Sequence, residues 1–184
     1  MQIILGHVPK ICYSKAMKEK TRQKICAAYL KLIEQKPADK ITVKDIAKES
    51  GVNRNTFYYH YQDIDALVDD IAKSQTEMLI SRYPAAADSV EAGVDFAVKS
   101  ALDKKKVLMY LYQSSSRTIF ENYLWKICDG FVDNYVKKNT SEDRSFFIRY
   151  QKCFLFGLLI DWFNNGMPES FLDDMHKAFE TLKM

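Results

Sequence analysis

The sequence contains few of the residues that make turns: six glycines and four prolines among 184 residues. Sandwiches and barrels need many turns, so this scarcity argues against them and favours long helices. The densest apolar run, Cys153 to Ile160, is eight residues long, whereas a membrane-spanning helix needs about 18 or more. The segment from Ile3 to Leu5 is too short for the core of a signal peptide. The composition therefore predicts a helical protein with no membrane partner.

The sequence also lacks the groupings that mark metal sites, disulfide frameworks and common active sites. Its four cysteines and three histidines are widely separated, and no C-x-x-C pair occurs. We therefore expect no zinc site and no disulfides, and a reducing cytoplasm as the location. There is no G-x-S-x-G, no H-E-x-x-H and no glycine-rich phosphate loop. We expect no catalytic residues, no metal and no cofactor, so an enzyme is the weakest interpretation.

Charge is unevenly distributed, although the net charge of the whole chain is only +3. Residues 1–62 carry 12 Lys and Arg against 5 Asp and Glu, whereas residues 63–184 carry 15 against 19. A basic first third followed by an acidic remainder indicates a small polyanion-binding domain on a larger body. A solvated basic helix surface is an equally good explanation of the charge alone.

Apolar residues recur with helical spacing along most of the chain. Residues 1–17 show no clear period and are predicted to form a loose arm, in which Met17 is a candidate natural start. From Lys18 the apolar residues follow the spacing i, i+3, i+4, i+7, which predicts a helix. This helix is expected to end before Pro37, because proline disfavours helical geometry in the residue ahead of it.

Two short helices are predicted next. Thr42 is a good N-cap with an acidic residue three positions later, and Gly51 can adopt the left-handed conformation that a tight helix exit needs. Asn53 then caps a second helix, from Arg54 to about His60. Two short helices joined by a turn of about three residues form the helix-turn-helix layout.

The rest of the chain is predicted to be a helical bundle. A long helix follows a cap at Asp63 and runs to about Ser81. Asp103 and Ser141 are the expected caps of two later helices, and Pro168 is expected in the first turn of the last, where its missing N–H costs nothing. The later helices are predicted near residues 89–101, 104–114, 117–138, 142–165 and 168–182. The fold class is therefore all-α, with an N-terminal three-helix helix-turn-helix domain followed by a helical bundle.

The helix after Asn53 has a surface suited to DNA. Phe57 and Tyr61 are four residues apart and share the face that packs inward. Arginine suits bidentate contacts with guanine, asparagine with adenine and a threonine methyl with the thymine methyl, while tyrosine and histidine suit phosphates. An ordinary amphipathic helix is the alternative, but it does not explain three outward aromatic side chains in a row. The residues left largely outward are Arg54, Asn55, Thr56, Tyr58, Tyr59 and His60.

Residues 41–47 (ITVKDIA), residues 51–61 (GVNRNTFYYHY) and Leu67 resemble the DNA-binding domain of the TetR family of bacterial transcriptional regulators. A weaker resemblance, over residues 156–169 (FGLLIDWFNNGMPE), is to the subgroup related to the dihydroxyacetone-kinase activator. The family often has a lysine that meets a phosphate near the start of the fourth helix, whereas this chain has Ile64 there.

The resemblance implies a domain organisation and a set of DNA contacts. Residues 1–62 are predicted to contain the arm and the DNA-binding domain, and residues 63–184 a helical ligand-binding and dimerisation domain. In the family the threonine that opens the first helix of the motif commonly meets a phosphate, and it corresponds to Thr42. The predicted DNA-binding residues are Thr42, Lys44, Asn53, Arg54, Asn55, Thr56, Tyr58, Tyr59 and His60.

The apolar helix near the C-terminus independently predicts a homodimer. Nine of the eleven residues from Cys153 to Phe163 are apolar, and a helix that is apolar all round must be buried on every side. The last helix adds an apolar stripe at Phe171, Met175, Ala178, Phe179 and Leu182. These two helices from each chain would form a four-helix interface by two-fold symmetry. The alternative is a core helix within one chain. The predicted interface residues are Trp162, Phe163, Phe171, Met175 and Phe179.

The leading interpretation is a dimeric transcriptional regulator that binds a palindromic operator in double-stranded DNA. The middle helices are rich in aromatic residues. The family resemblance associates them with a small-molecule effector cavity, whereas ordinary core packing is the simpler explanation for any one of them. The alternative function is a protein of the same fold that acts mainly as a protein-interaction module or coactivator. Salt dependence separates the two, because phosphate-driven DNA binding weakens steeply as salt rises.

Overall fold

The computed structural model describes residues 10–82, 90–139 and 145–182, and every regular element in these ranges is helical. The prediction of an all-α protein is confirmed. No helix in these ranges is long and apolar enough to cross a membrane. The helices are α1 (Lys10–Ile33), α2 (Val43–Ser50), α3 (Arg54–His60), α4 (Ile64–Arg82), α5 (Val90–Leu102), α6 (Lys105–Tyr112), α7 (Arg117–Asn139), α8 (Ser145–Asn164) and α9 (Phe171–Leu182), with a short 3₁₀ turn at Ala38–Lys40.

The first helix is longer than the apolar pattern predicts. It begins at Lys10, so the prediction of a loose arm is wrong for residues 10–17, while residues 1–9 lie outside the described ranges. The segment from Lys10 to Met17 contains no glycine or proline and includes the good helix formers lysine, alanine and methionine. A helix nucleated on its packed half therefore extends through this segment without an apolar stripe.

The two ends of α2 are capped by the residues that the sequence predicts, Thr42 at the N-terminus and Gly51 at the C-terminus. The Thr42 hydroxyl accepts a hydrogen bond from the Asp45 N–H at 3.2 Å, and the Asp45 carboxylate accepts one from the Thr42 N–H at 2.9 Å. This reciprocal pair is a capping box. Gly51 ends the helix with a φ of 69°, a left-handed conformation that glycine adopts without a Cβ penalty.

The first of two compact units ends at Leu67, inside α4. Its core joins α1, α2, α3 and the start of α4. The large side chains buried in it are Ile25, Tyr29, Ile33, Ile46, Phe57 and Leu67. Phe57 and Tyr61 are both buried, as their four-residue spacing predicts. The Asp63 carboxylate accepts the Ala66 N–H at 2.8 Å and so caps α4 as expected.

The second compact unit begins at Val68 and contains the rest of α4 and helices α5 to α9. Its core gathers one stripe from each of α5 to α9. Lys152 on α8 pairs with Asp129 and with Asp133 on α7, the latter at 2.8 Å, so these helices are joined by ion pairs as well as by packing. The buried core residues are Val94, Val98, Tyr112, Leu124, Cys128, Val132, Leu155, Leu159, Trp162, Phe163, Met167, Phe171 and Met175.

Two helix starts in this unit differ from the predictions. The cap of α6 is Lys104, not Asp103, because the Lys104 carbonyl accepts the first helical bond, from the Leu108 N–H at 3.1 Å. The last helix starts at Phe171, so Pro168 lies before it rather than in its first turn. The Pro168 carbonyl instead accepts the Trp162 indole N–H at 2.9 Å. The predicted cap at Ser141 lies outside the described residues.

Candidate nucleic-acid interface

One face of α3 closes the core, and the other carries the side chains predicted to contact DNA. Phe57 is fully buried and anchors the helix. Tyr58 is 49% exposed and Tyr59 is 70% exposed, although aromatic side chains of this size are usually covered. Arg54 and Asn55 are also exposed. A seven-residue helix thus presents one cation, one amide and two phenol groups on the surface.

The first turn of α3 has polar groups that serve the helix itself. The Asn53 amide oxygen accepts the Thr56 N–H at 2.7 Å and the Thr56 hydroxyl at 3.0 Å. Asn53 therefore caps the helix as predicted. Its amide oxygen is already used twice, so of the two residues the Thr56 methyl group is the better candidate for contact with a base.

The N-terminus of α2 presents Thr42 and Lys44, both exposed, at a second site predicted to meet DNA. The Asp45 carboxylate holds this turn together: it accepts from the Thr42 hydroxyl at 2.7 Å and from the Lys36 ammonium at 2.8 Å. The hydrogen bond from Lys36, followed by those from Thr42, holds the pKa of Asp45 well below its usual range. Lys36 lies nine residues from Asp45, beyond the reach of the capping pattern, so the sequence does not predict this contact.

His60 sits half-buried at the end of α3. Burial lowers its pKa from the ordinary histidine value, and the positive charges of Lys18 and Arg22 lower it further, against a smaller opposing effect of Glu19. The neutral imidazole is therefore the favoured form of free His60 near neutral pH. A neutral imidazole still donates one hydrogen bond and accepts another.

The middle of α1, from Lys18 to Cys26, lies beside the C-terminal end of α3, a contact that no local sequence pattern predicts. The Lys18 ammonium is 5.1 Å from the centroid of the Tyr59 ring. The Cys26 thiol is 3.3 Å from the Tyr61 hydroxyl. The signal available in the sequence was the helical spacing of Lys18, Arg22 and Ile25, which places all three on one stripe of α1.

The residues predicted to form the dimer interface lie mostly in the core of a single chain. Trp162 and Phe163 are 1% and 2% exposed. The Trp162 ring stacks on Phe171 with centroids 5.1 Å apart, and the Phe163 ring meets Phe120 at 4.9 Å. Their burial within one chain matches the alternative of an intrachain core helix, and their place in a dimer interface stays a prediction. The same holds for Phe171 and Met175, whereas the side chain of Phe179 lies outside the described residues.

The described ranges contain no group of three or more His, Cys, Asp or Glu side chains placed to hold a metal ion. What they do contain is a capped helix, a left-handed turn at Gly51 and a second helix with an exposed polar and aromatic face. This arrangement defines a helix-turn-helix DNA-binding protein.

Two family models match this chain. Residues 25–71 match the model described as bacterial regulatory proteins of the tetR family. Residues 88–182, more than half of the chain, match the TetR_C_8 model, described as a transcriptional regulator C-terminal region. The chain belongs to the TetR family of bacterial transcriptional regulators. A comparison with curated proteins finds no significant match.

Solved structures of several regulators share the fold. The dihydroxyacetone kinase operon activator DhaS is 16% identical with a TM-score of 0.66, covering 89% of this chain and 96% of its own. A TetR transcriptional regulator from Rhodococcus sp. RHA1 is 14% identical with a TM-score of 0.64, at 90% and 97% coverage. NalD, the secondary repressor of the MexAB-OprM multidrug efflux pump in Pseudomonas aeruginosa, is 20% identical with a TM-score of 0.53, at 88% and 96% coverage. At these identities the likeness concerns the fold.

Proposed function

We propose that this regulator binds a palindromic operator as a homodimer, with α3 of each chain in the major groove. The observation that carries the proposal is the exposed face of α3, where Arg54, Asn55, Tyr58 and Tyr59 stand on a helix anchored by the buried Phe57. In this proposal residues 1–62 bind DNA, and residues 63–184 form the dimer and bind a ligand.

The side chains divide into two roles by their chemistry. Arg54 and Asn55 are the base-reading residues, because their planar donor groups match guanine and adenine edges, and the Thr56 methyl group contacts thymine. Hydroxyl, imidazole, ammonium and amide groups that precede and follow Arg54 and Asn55 in the sequence are suited to contacts with phosphates. These contacts are assigned to Thr42, Lys44, Asn53, Tyr58, Tyr59 and His60.

A dimer needs a surface that one chain leaves uncovered, and α8 has one. Tyr150 is 61% exposed, and Cys153 and Gly157 follow it on the same exposed face. Apart from its chain neighbours and the backbone of its own helix, a Cβ placed on Gly157 would meet no atom within 4 Å. A glycine in mid-helix costs about 1 kcal/mol relative to alanine, and close approach of another helix explains its presence. We assign the two-fold contact of the dimer to this exposed face of α8. The buried side chains of the same helix, which include Trp162, hold α8 in place on the core.

The second unit is the proposed site of regulation. A small-molecule effector would bind among the aromatic residues of the second unit, and an apo-to-bound change would alter operator affinity. The location that this function requires is the cytoplasm, where bacterial DNA is accessible. The function requires no catalytic step of the protein's own.

The experiment that tests the proposal is selection of bound duplexes from a random pool, followed by titration of the selected site at several salt concentrations. The expected result is a palindrome with half-sites about one helical turn, roughly 34–36 Å, or a multiple apart. Affinity should fall steeply with salt. An Arg54→Ala variant should lose enrichment, whereas Arg82→Ala, which removes an exposed arginine of α4 in the second unit, should keep it. Failure to enrich any duplex would favour the protein-interaction alternative, consistent with Ile64 in place of the family's lysine.

A further inference from the structure

Tyr59 is the most exposed of the large apolar and aromatic side chains that the structure describes, at 70%. Its ring nevertheless has two defined neighbours. The Lys18 ammonium is 5.1 Å from the ring centroid, and the His60 ring meets it edge-on at 5.2 Å. An ammonium within about 6 Å of an aromatic face is attracted by the ring quadrupole. The Tyr59 side chain is therefore held in place on an otherwise open surface.

The position of Lys18 follows from the packing of α1. Ile25 and Tyr29 lie on the stripe of α1 that enters the core of the first unit, and Lys18 lies on the same stripe about two turns closer to the N-terminus. The contact between Cys26 and the Tyr61 hydroxyl, at 3.3 Å, fixes α1 against the C-terminal end of α3. The contact of Lys18 with Tyr59 continues this line of contacts beyond the core.

The neighbouring cation of α1 has a different role. Arg22 pairs with Glu19 of its own helix, at 2.8 Å, so its charge is partly compensated within α1. Lys18 is the cation that lies over the tyrosine ring. Since the contact links α1 to α3, it bears directly on the orientation of the Tyr59 side chain.

We propose that Lys18 is a positioning residue for DNA recognition, which holds the Tyr59 ring so that its hydroxyl faces the phosphodiester backbone. The proposal rests on the proposed function, since it concerns a tyrosine assigned to DNA. A freely rotating exposed tyrosine loses rotamer freedom when it binds, and a pre-ordered one loses less. Lys18 thereby raises operator affinity through Tyr59 rather than through a phosphate contact of its own.

The first test compares variants of α1 in the full chain, on the operator selected above. Lys18→Gln should bind about two- to fivefold more weakly, the effect of one exposed cation–π contact, while Lys18→Arg should bind like the wild type. The matched control is Lys20→Gln, which removes the same charge from an exposed position about 200° around the helix. Equal losses in Lys18→Gln and Lys20→Gln would overturn the proposal, because general electrostatics would then explain both.

The second test separates positioning from direct contact. In a double-mutant cycle with Tyr59→Leu, Lys18→Gln should cause little further loss once the ring is gone. Additive losses would show that Lys18 contacts DNA independently and would overturn the proposal. In the absence of DNA, the ring should shift the NMR signals of the Lys18 side-chain methylenes, and the shift should disappear in Tyr59→Leu. A wild-type protein that enriches no duplex would instead refute the proposed function, and the positioning role with it.

Discussion

The amide oxygen of Asn53 accepts the backbone N–H of Thr56 at 2.7 Å. This bond closes the N-terminus of a helix only seven residues long. Short helices have few internal hydrogen bonds to offset their unpaired ends, so the cap is a large share of what holds α3 in shape. Asn53 therefore stabilises the helix that the proposed function places in the major groove.

Replacing Asn53 with alanine should destabilise the first unit by about 1 kcal/mol, the usual cost of losing an N-cap. Asn53→Ser should keep most of the stability, because serine caps about as well. Urea denaturation followed by circular dichroism measures both. A full-stability Asn53→Ala variant would show that packing of Phe57 alone defines α3.

A polar network in the second unit gives an independent stability prediction. The buried Tyr112 hydroxyl donates to the Asn164 amide oxygen at 2.7 Å and accepts from the Arg117 guanidinium at 2.7 Å. Tyr112→Phe keeps the ring and removes both bonds, so we expect a loss of about 1–2 kcal/mol in the free energy of unfolding. An unchanged denaturation midpoint would mean that water replaces the hydroxyl at no cost.

Operator affinity should depend on pH through His60. Its pKa is lowered in the free protein by burial and by Lys18 and Arg22, against the opposing effect of Glu19, whereas a nearby phosphate favours the imidazolium. Binding should therefore take up a proton, so affinity should rise as pH falls from about 7.5 to about 5.5. His60→Gln should flatten this profile and His176→Gln should not. A wild-type profile that falls toward acid would place His60 away from phosphate.

The exposed face of α8 gives the test of the dimer. Gly157→Glu introduces a charge where, apart from its chain neighbours and the backbone of its own helix, a Cβ meets no atom within 4 Å, and it should improve the helix by up to about 1 kcal/mol in the monomer. Sedimentation should nonetheless show dissociation. A charge at Phe163 would be placed among core rings instead and would unfold the body. A dimeric Gly157→Glu protein would locate the interface elsewhere.

The helix-turn-helix was predictable because its signals are local. The Thr42 and Asp45 pair, the left-handed Gly51 and the Asn53 cap each act within three or four residues, so the sequence contains all the partners. Asp103 looked like an equally good cap, but α6 starts one residue later, with Lys104 as its cap and no side-chain cap hydrogen bond. The Lys105 ammonium in its first turn donates to the Met167 carbonyl at 2.8 Å, 62 residues away, a partner that no local pattern indicates.

The rest of the candidate site depends on partners that are distant in sequence. The contact of Lys18 with Tyr59 spans 41 residues, and no local rule selects it. The apolar helix around Trp162 is a second case in which the sequence does not identify the contacting partner. An all-apolar pattern predicts burial, which is observed, but it does not say whether the covering surface belongs to the same chain or to a partner.

Titration of single-base-pair variants of the selected operator is the sharpest test of whether α3 reads DNA. Arg54→Ala and Asn55→Ala should each lose preference at particular base pairs, by about 1–3 kcal/mol per bidentate contact. Tyr58→Phe removes one hydroxyl and should weaken binding uniformly across the duplexes. Equal losses by all three variants on every duplex, or a wild-type protein that does not distinguish the duplexes, would show that α3 does not read the base sequence.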